Sequence, residues 1–371
     1  MHPATFDDPF TTSSAEPGAR IGFVAHIAEL INHYRAIWKH LPPGSFELVN
    51  AGLAEHAAEI EDVARAEGVA CVAVADVVAR GAAYDVLVSN HPIDFTMPVP
   101  LIKRIGRVNV RLMYSVAKSG WNLRAWNQWY DVVLCLGPYH RETLSQVTGA
   151  AMVEIGYPRF DHFFVMRGRR DELVTAYGGD PARRTIVWLP TWKDLSSVGW
   201  FDDAIAALAP THNVIVKLHP LMSHTEPAKV AAVRALGLTH VIADSSDNVP
   251  LYAAADVIFC DYGGPALGAV YAGKDVLLLD VPGAERDELL GDGSPDLLIR
   301  QWMPHVSPAE AASIPALLAD RGLWSRQRQV RRELRAVFFA PHVGYSGRVA
   351  AQALLHAREL AEHASLAGVG G

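Results

Sequence analysis

The residues best suited to chemistry lie at the end of an apolar run at 214–218. Lys217 precedes His219 by two positions, so both side chains project to the same side of a β-strand. The imidazole of a histidine can donate a hydrogen bond to a phosphate oxygen or transfer a proton near neutral pH, and a lysine supplies a point charge. This strand end predicts contact with a phosphorylated substrate, although a lone histidine more often has a structural role.

A second candidate is the turn from Asp261 through Gly263 and Gly264, which joins an apolar strand at 256–260 to a helix. Two glycines in a strand-to-helix turn let backbone amides approach an anion closely. Two similar strand ends beside it favour a shared anion site over a generic turn.

Two further loops offer polar groups. After a strand at 185–189, Thr191 supplies a hydroxyl and Trp192 a ring for stacking, unless this is an ordinary β-α loop in which Trp192 covers the core edge. Ser245 and Ser246 precede a short helix at 248–254, where free backbone amides favour an anion. Helix capping alone would also explain these two serines.

Alternating strands and helices position these loops. Apolar runs such as IGFVA, YDVLVSN, TIVWL and DVIFC alternate with helical patterns, which indicates parallel sheets in an α/β protein. Ligands of such sheets bind beyond the carboxyl ends of the strands. We therefore predict two Rossmann-like domains facing a cleft.

The pattern also predicts domain boundaries. Residues 1–19 lack a sustained period and are expected to be a mobile leader. Residues 20–160 form an N-terminal acceptor domain, 161–345 a C-terminal nucleotide-donor domain, and 346–371 a C-terminal helix and tail that crosses back onto the first domain.

Composition narrows the class of partner. The formal charge of −7 argues against broad nucleic-acid binding, and the arginines at 326–335 have the spacing of a solvated helix face or of a contact with an anionic membrane. The three cysteines lack metal-ligand spacing, and no apolar run reaches the length of a membrane span. We expect a protein without a protein-bound metal that is either free in the cytoplasm or peripheral at the inner face of the cell membrane.

Taken in order, the motifs PTWKD, KLHP, ADSSDNVPLYAAADVIFCDYGG and KDVLLLD resemble the CDP-glycerol glycerophosphotransferase family, the wall teichoic acid primases and polymerases. Upstream, YDVVLCLGPYHRETL and VEIGYPRFD resemble the same family, so the likeness spans roughly residues 84–350. It implies a GT-B-like fold and transfer of a polyol phosphate from a CDP-activated donor to the hydroxyl of a glycan, lipid-linked or polyol-phosphate acceptor in cell-surface polymer synthesis, with release of CMP.

The resemblance also implies roles for particular residues. His219 matches the family's His-Pro motif and would contact the donor pyrophosphate, with Lys217 beside it. Arg159, in the Gly-x-Pro-Arg-x-Asp element, and Thr191 would assist. No tightly bound cofactor is implied, although Mg²⁺ bound to the donor phosphates is possible because it needs few protein ligands.

Two departures from the family pattern concern catalysis. Gly263 and Gly264 replace two serines, which leaves only amide contacts there. Tyr114, followed by Ser115 and Lys118, takes the place of a His-Gly and Lys element, so the family's proposed general base is missing. Tyr114 could bind the acceptor, but a phenol with a pKa of ~10 is a poor base.

His26 and His91 each follow a strand, at 21–25 and 85–90, and either could replace the missing base; each could equally be a capping or turn residue. Two other functions fit the same fold. One is a nucleotide-sugar glycosyltransferase or epimerase, and the other is a catalytically degenerate member that binds nucleotide or glycan without turnover.

Overall fold

The computed structural model describes residues 20–81, 83–94 and 97–369. The leader predicted at 1–19 lies outside the described residues. The described chain forms two parallel β-sheets, each flanked by helices.

The first sheet has the spatial order β3-β2-β1-β4-β5-β6-β7, and every neighbouring pair is parallel. Its strands are β1 (Ile21–Ala25), β2 (Phe46–Asn50), β3 (Cys71–Ala73), β4 (Tyr84–Ser89), β5 (Gly106–Leu112), β6 (Val132–Cys135) and β7 (Ala151–Glu154). Phe23 packs in one core and its neighbour Val24 in another, so β1 is covered on both faces. This double burial explains why β1 is apolar throughout.

The second sheet has the order β10-β9-β8-β11-β12-β13 and is again parallel. Its strands are β8 (Thr185–Leu189), β9 (Asn213–Lys217), β10 (His240–Ile242), β11 (Val257–Cys260), β12 (Asp275–Leu279) and β13 (His305–Val306). The strand order reverses between β1 and β4 in the first sheet and between β8 and β11 in the second. Such switch points open a crevice for a ligand.

Helices cover both sheets. They are α1 (Ile31–Trp38), α2 (Ala54–Ala66), α3 (Val74–Ala79), α4 (Leu101–Ile105), α5 (Ser119–Asn122), α6 (Pro138–Ser145), α7 (Asp161–Met166), α8 (Arg170–Ala176), α9 (Asp202–Ala206), α10 (Met222–Thr225), α11 (Pro227–Arg234), α12 (Val249–Ala254), α13 (Gly264–Ala272), α14 (Pro295–Leu298), α15 (Ile314–Ala319), α16 (Arg321–Phe338), α17 (Ser346–Leu355) and α18 (Ala357–Val369). The expected α/β architecture, two Rossmann-like sheets facing a cleft in a GT-B-like arrangement, is confirmed.

The C-terminal helices return to the first sheet. Helix α17 packs on α1, and α18 packs on β5, β6 and β7. The Asp161 carboxylate accepts hydrogen bonds from the N–H groups of Ser346 at 3.0 Å and Gly347 at 2.6 Å. It thereby satisfies first-turn amides of α17 and joins the linker after β7 to the returning helix.

The sequence pattern also predicts a helix at roughly 162–177, a strand at 69–75 and a helix at 225–236, and the structure differs from each prediction. The helix expected at 162–177 is divided into α7 and α8 by a turn at Gly168. The strand expected at 69–75 ends at Ala73, where α3 begins. The helix expected at 225–236 breaks at Glu226, and Pro227 starts α11, as a proline in the first helical turn favours.

The arginine-rich face of α16 is only partly solvated. Arg331 is buried and pairs with Asp275 at 2.5 Å, and the Arg335 guanidinium lies 4.9 Å from the centre of the Tyr271 ring. Arg326, Arg328 and Arg332 remain exposed. Among the helices in the described ranges, none is both long enough and apolar enough to span a membrane.

Replacing Gly347 with alanine should lower the midpoint of thermal unfolding. The added methyl group would collide with the Ala36 backbone, where α17 crosses α1. Overpacking of this kind costs about 1–3 kcal/mol. Gly168→Ala is the control, because a methyl group there meets nothing within 4 Å. Equal unfolding midpoints for the two variants would contradict the close helix contact.

Candidate active site

A cavity of about 460 Å³ lies between the carboxyl ends of the two sheets. Its size is typical of a small-ligand site. Of the residues predicted from sequence, it is lined by His26, His91, Tyr114, Lys118, Arg159, Thr191, Trp192, Lys217, His219, Gly263 and Gly264. The cleft therefore brings together residues from both predicted domains.

Lys118 belongs to the first domain, and its ammonium reaches a loop of the second domain. Its Nζ lies 3.4 Å from Thr191 Oγ1, and its Cε would lie 3.6 Å from a side chain placed on Gly263. Burial lowers the pKa of Lys118, and the nearby Asp296 and Asp261 carboxylates oppose that shift. Lys118 and Thr191 thus form a buried corner of the cavity. Its ammonium and hydroxyl groups are close enough together to bind the same phosphate.

Asp296 holds this corner together, and the sequence analysis missed it. Its Oδ2 accepts from the backbone N–H of Lys118 at 2.7 Å, and its Oδ1 accepts from the backbone N–H of Gly263 at 2.5 Å. Ser294 Oγ donates to Oδ2 at 2.9 Å. The carboxylate is 1 % exposed and joins loops of both domains. Asp296 lies in the first turn of α14, and its partners Lys118 and Gly263 are distant along the chain.

The turn at Gly263 and Gly264 lets a ligand approach the backbone closely. The sequence-based expectation for its amides needs one correction. Gly263 has φ +125°, a conformation that other residues rarely adopt. Its N–H is already bound to Asp296, so it does not offer a free amide to a phosphate. Gly264 begins α13, whose first-turn amides have no partner within the helix. A side chain on Gly264 would lie 3.1 Å from the Ser115 hydroxyl oxygen.

His219 is neutral and fixed in orientation. Its ring stacks on Trp192 with centroids 5.4 Å apart and planes 17° apart. Burial, with the charges of Lys118 and Lys217, lowers its pKa to about 3. The Leu221 N–H donates to His219 Nδ1 at 3.3 Å, so the neutral ring carries its proton on Nε2. His219 is therefore a hydrogen-bond donor toward the cavity rather than a base.

Lys217 lines the cavity, and its ammonium is held in place by Asp244. Its Nζ donates to the Asp244 carbonyl at 2.6 Å and lies 3.6 Å from the Asp244 carboxylate. Burial lowers the pKa of Lys217, against the opposing effect of Asp244. Its charge acts at the edge of the site while its ammonium fixes the loop after β10.

Three predicted ligands do not line the cavity. Ser246 Oγ donates to the Asp244 carboxylate, and the Ser245 carbonyl accepts from Asn32 Nδ2 at 3.1 Å. The Asp261 carboxylate is buried beneath the site and accepts from the Thr191 N–H at 2.8 Å and the Ser197 N–H at 2.7 Å. These residues shape the loops, and Asp261 positions the backbone of Thr191.

Arg159 bridges the two domains. Its Nη1 donates to Glu29 at 2.7 Å and to His33 Nε2 at 3.0 Å, and its Nε donates to Asp247 at 3.0 Å. Burial disfavours its charge, but the two carboxylates outweigh burial and raise the pKa of Arg159. Glu29 and His33 also line the cavity and were not predicted, although their spacing of four residues, from the 3-10 turn before α1 into α1, was a usable signal.

His26 and His91, the two candidate bases, are neighbours across β1 and β4. Their rings meet edge to face with centroids 4.5 Å apart. Burial and His56 lower the pKa of His26 to about 4, and burial, His26 and Arg111 lower that of His91 to about 3. Both imidazoles are therefore unprotonated at neutral pH and can accept a proton.

Tyr114 is unsuited to the role of a base. Burial raises its pKa to about 12, despite the nearby Arg111 charge. Its ring lies edge to face with that of His33 at 6.0 Å. A buried neutral phenol in this wall is suited to packing or hydrogen bonding with a ligand.

Replacing Asp296 with asparagine should weaken the binding of CDP. An amide cannot accept from both the Lys118 and Gly263 N–H groups, because its NH₂ would face one of these donors. Hydrogen bonds to a charged group are worth about 1.5–3 kcal/mol, so we expect the Kd measured by titration calorimetry to rise about 10- to 100-fold.

Asp292→Asn is the matched control, since it makes the same change of side chain at an exposed position of the same loop, outside the cavity lining. Its Kd should change less than about threefold, and thermal unfolding should show both variants folded. An unchanged Kd for Asp296→Asn would contradict the positioning role of the carboxylate.

Comparison with known proteins adds sequence and structural relatives. The sequence model of the CDP-glycerol:poly(glycerophosphate) glycerophosphotransferase family matches residues 114–264. A search of curated proteins finds no significant match. The structure of the wall teichoic acid polymerase TagF is similar with a TM-score of 0.59 at 14 % identity, over 93 % of this chain and 90 % of that chain.

Two other solved structures share the fold. A putative UDP-N-acetylglucosamine 2-epimerase from Listeria monocytogenes has a TM-score of 0.58 at 11 % identity, over 92 % of this chain and 97 % of that chain. Anabaena Alr3699/HepE in complex with UDP and glucose has a TM-score of 0.50 at 15 % identity, over 94 % and 99 %. At such identities the likeness shows only the fold.

The family match is more informative because the matched segment contains Lys118, His219 and the Gly263–Gly264 turn. The resemblance seen in the sequence motifs is confirmed over this segment.

Proposed function

We propose that the protein transfers a polyol phosphate, such as glycerol phosphate, from a CDP-activated donor to an acceptor hydroxyl and releases CMP. The observation that carries this proposal is the corner formed by Lys118 Nζ, Thr191 Oγ1 and the Nε2–H of His219 beside the glycine turn. These groups are a cation and neutral donors, which suit a pyrophosphate. The match with the glycerophosphotransferase family supports the same donor class.

The reaction forms one P–O bond and breaks another. The acceptor oxygen attacks the β-phosphorus, and the bond from that phosphorus to the bridging oxygen breaks, so the bridging oxygen leaves with CMP. The proton of the acceptor hydroxyl passes to a base and then to water. Stabilisation of the phosphate charges dominates such transfers.

Lys118 is the group best placed to stabilise the leaving CMP. Its ammonium lies in a buried corner, where an interaction between charges is stronger than in water. His219 and Thr191 can donate to the same phosphates without adding charge. Mg²⁺ enters the proposal only as a counter-ion of the donor, and assays with and without a chelator test that part.

His26 or His91 is proposed as the base. Their low pKa values keep them unprotonated but make them weak proton acceptors in the free protein. A bound pyrophosphate brings negative charge into the cleft and raises both pKa values. Donor binding would thus strengthen the base at the step that needs it.

We further propose that the acceptor is a glycan or a lipid-linked hydroxyl in the synthesis of a cell-surface polymer such as teichoic acid. Such an acceptor would require peripheral contact with the inner face of the membrane. The exposed Arg326, Arg328 and Arg332 on α16 offer positive charge for that contact.

The function is tested by following CMP and UDP release with CDP-glycerol, CDP-ribitol and a panel of UDP-sugars. Release of CMP in the presence of an acceptor supports the proposal. Release of UDP alone would favour a nucleotide-sugar glycosyltransferase. Nucleotide binding without any release would favour a member without turnover.

Substitutions of His219 should show whether this residue acts as a hydrogen-bond donor or as a base. His219→Gln keeps an N–H near the position of Nε2, whereas His219→Ala removes it. We expect kcat/KM for CDP-glycerol to fall about 100-fold or more in the alanine variant but only about tenfold in the glutamine variant. His224→Ala is the control, because His224 is exposed and lies outside the cavity lining. Equal losses for the glutamine and alanine variants would contradict the donor role.

The pH dependence should reveal the base. Because the base must be unprotonated and its pKa lies near 3 to 4, kcat/KM should stay level from about pH 8 down to about pH 5 and fall below about pH 4. The acid limb of kcat should lie at higher pH, since the bound donor raises the pKa of the base. An acid limb of kcat/KM near the ordinary histidine value of 6.5 would contradict the assignment.

A further inference from the structure

Two lysines at the cavity have a strained backbone. Among the described residues, positive φ angles outside glycine occur at Asp94, Lys118 and Lys193. Lys118, with φ +58°, and Lys193, with φ +56°, both line the cavity, the first from the first domain and the second from the loop after β8. A left-handed backbone is disfavoured for a residue with a Cβ atom, and such strain is retained mostly at functional sites.

Both lysines are held in this conformation in the same way. The backbone N–H of Lys118 donates to Asp296 at 2.7 Å, and the backbone N–H of Lys193 donates to Glu226 at 2.9 Å. Burial would raise the pKa of Glu226, but the bonds from Lys229 and from the Lys193 N–H outweigh burial and lower it. An ionised carboxylate therefore fixes the backbone of Lys193, as Asp296 fixes that of Lys118.

The ammonium of Lys193 is available to an anion. Its Nζ lies 4.3 Å from the centre of the Trp192 ring, a contact that holds the side chain without neutralising its charge. The Glu226 carboxylate pairs with Lys229 at 2.5 Å, and no carboxylate of the described residues forms an ion pair with Lys193. Lys193 is also exposed, so a ligand entering from water can reach it.

From this arrangement we infer that Lys193 determines specificity at the donor site by binding the second phosphate of a nucleoside diphosphate, while Lys118 binds the first. The inference rests on the proposed function and adds to it a residue that the proposed transfer does not use. Thr191, which Lys118 contacts, precedes Lys193 by two residues, so the two lysines approach one ligand from opposite domains.

The charges of the cavity agree with this assignment. Of the described lysines and arginines that line it, Arg159 and Lys217 form ion pairs with neighbouring carboxylates. The ammonium groups of Lys118 and Lys193 form none. Two unpaired cations match the two phosphates of a CDP-linked donor, each of which carries one negative charge.

The same arrangement favours release of the product. Transfer moves the second phosphate to the acceptor, and CMP keeps only the first. CMP is then held by Lys118 alone, whereas the donor is held by both lysines. The site should therefore bind a nucleoside diphosphate more tightly than the monophosphate.

The test measures the Kd of CDP and of CMP by titration calorimetry. Lys193→Asn removes the ammonium but keeps the turn, because asparagine adopts a left-handed backbone readily. We expect this variant to bind CDP about tenfold more weakly and to bind CMP within about twofold of the unaltered protein. Lys193→Arg keeps the charge and should bind CDP within about threefold. Lys39→Asn, at an exposed lysine outside the cavity lining, should change neither Kd.

Salt separates the loss of a charge from a change in loop shape. Because Lys193 is exposed, the loss of CDP affinity in Lys193→Asn should shrink in about 1 M sodium chloride. A loss of the same size at low and high salt would indicate a structural effect and overturn the inference.

Equal weakening of CDP and CMP, or an unchanged Kd for CDP, would also overturn the inference and leave the proposed function intact. Failure of the unaltered protein to bind either nucleotide would instead count against the proposed function. Inorganic pyrophosphate and phosphate then serve as probes of the two lysines. A preference for pyrophosphate that Lys193→Asn abolishes supports the inference, and an absent or unaffected preference overturns it.

Discussion

The two domains meet around a single buried carboxylate. Asp296 accepts from the Lys118 N–H on one side and the Gly263 N–H on the other, and it does so with almost no exposure to water. Around it, the Gly120 N–H donates to the Leu290 carbonyl at 2.7 Å and the Ser119 N–H donates to Ser294 Oγ at 3.2 Å. Each link satisfies a polar group that would be costly to bury alone. The position of Lys118, and with it the corner that Lys118 forms with Thr191, depends on these contacts between the domains.

Charge is distributed over the cleft in a consistent way. Arg159 is offset by Glu29 and Asp247, and Lys118 lies near Asp296, so the two central cations have carboxylate neighbours. The histidines of the cavity stay neutral because burial lowers their pKa values. The pyrophosphate of the proposed donor would therefore meet fixed hydrogen-bond donors and a few cations that are held in place by carboxylates. Such preorganised groups need little rearrangement when charge moves during a transfer.

The sequence predicted the parts of the site that follow from strand ends. Apolar runs located β8, β9 and β11, and the rule for parallel sheets then placed Thr191, His219 and Gly263 at one edge. The pattern could not reveal Asp296, because its partner Lys118 lies 178 residues away along the chain. It also misjudged Ser246, since residue type gives a hydroxyl but not its direction, and this hydroxyl turns to Asp244. The sequence thus indicated which types of residue lie near the site. It did not indicate the direction of their side chains or the contacts between residues distant along the chain.

The substitution of glycines for serines in the turn need not remove a hydroxyl from the site. Space beside Gly264 is limited by Ser115, whose Oγ would lie 3.1 Å from any added side chain. A serine at Gly264 and the serine at 115 would compete for one position. The φ of Gly263 likewise disfavours a side chain there. The loop from Ser115 to Lys118 therefore lies directly against the turn at Gly263 and Gly264. The two departures from the resembling motif, one in each domain, are neighbours in the structure.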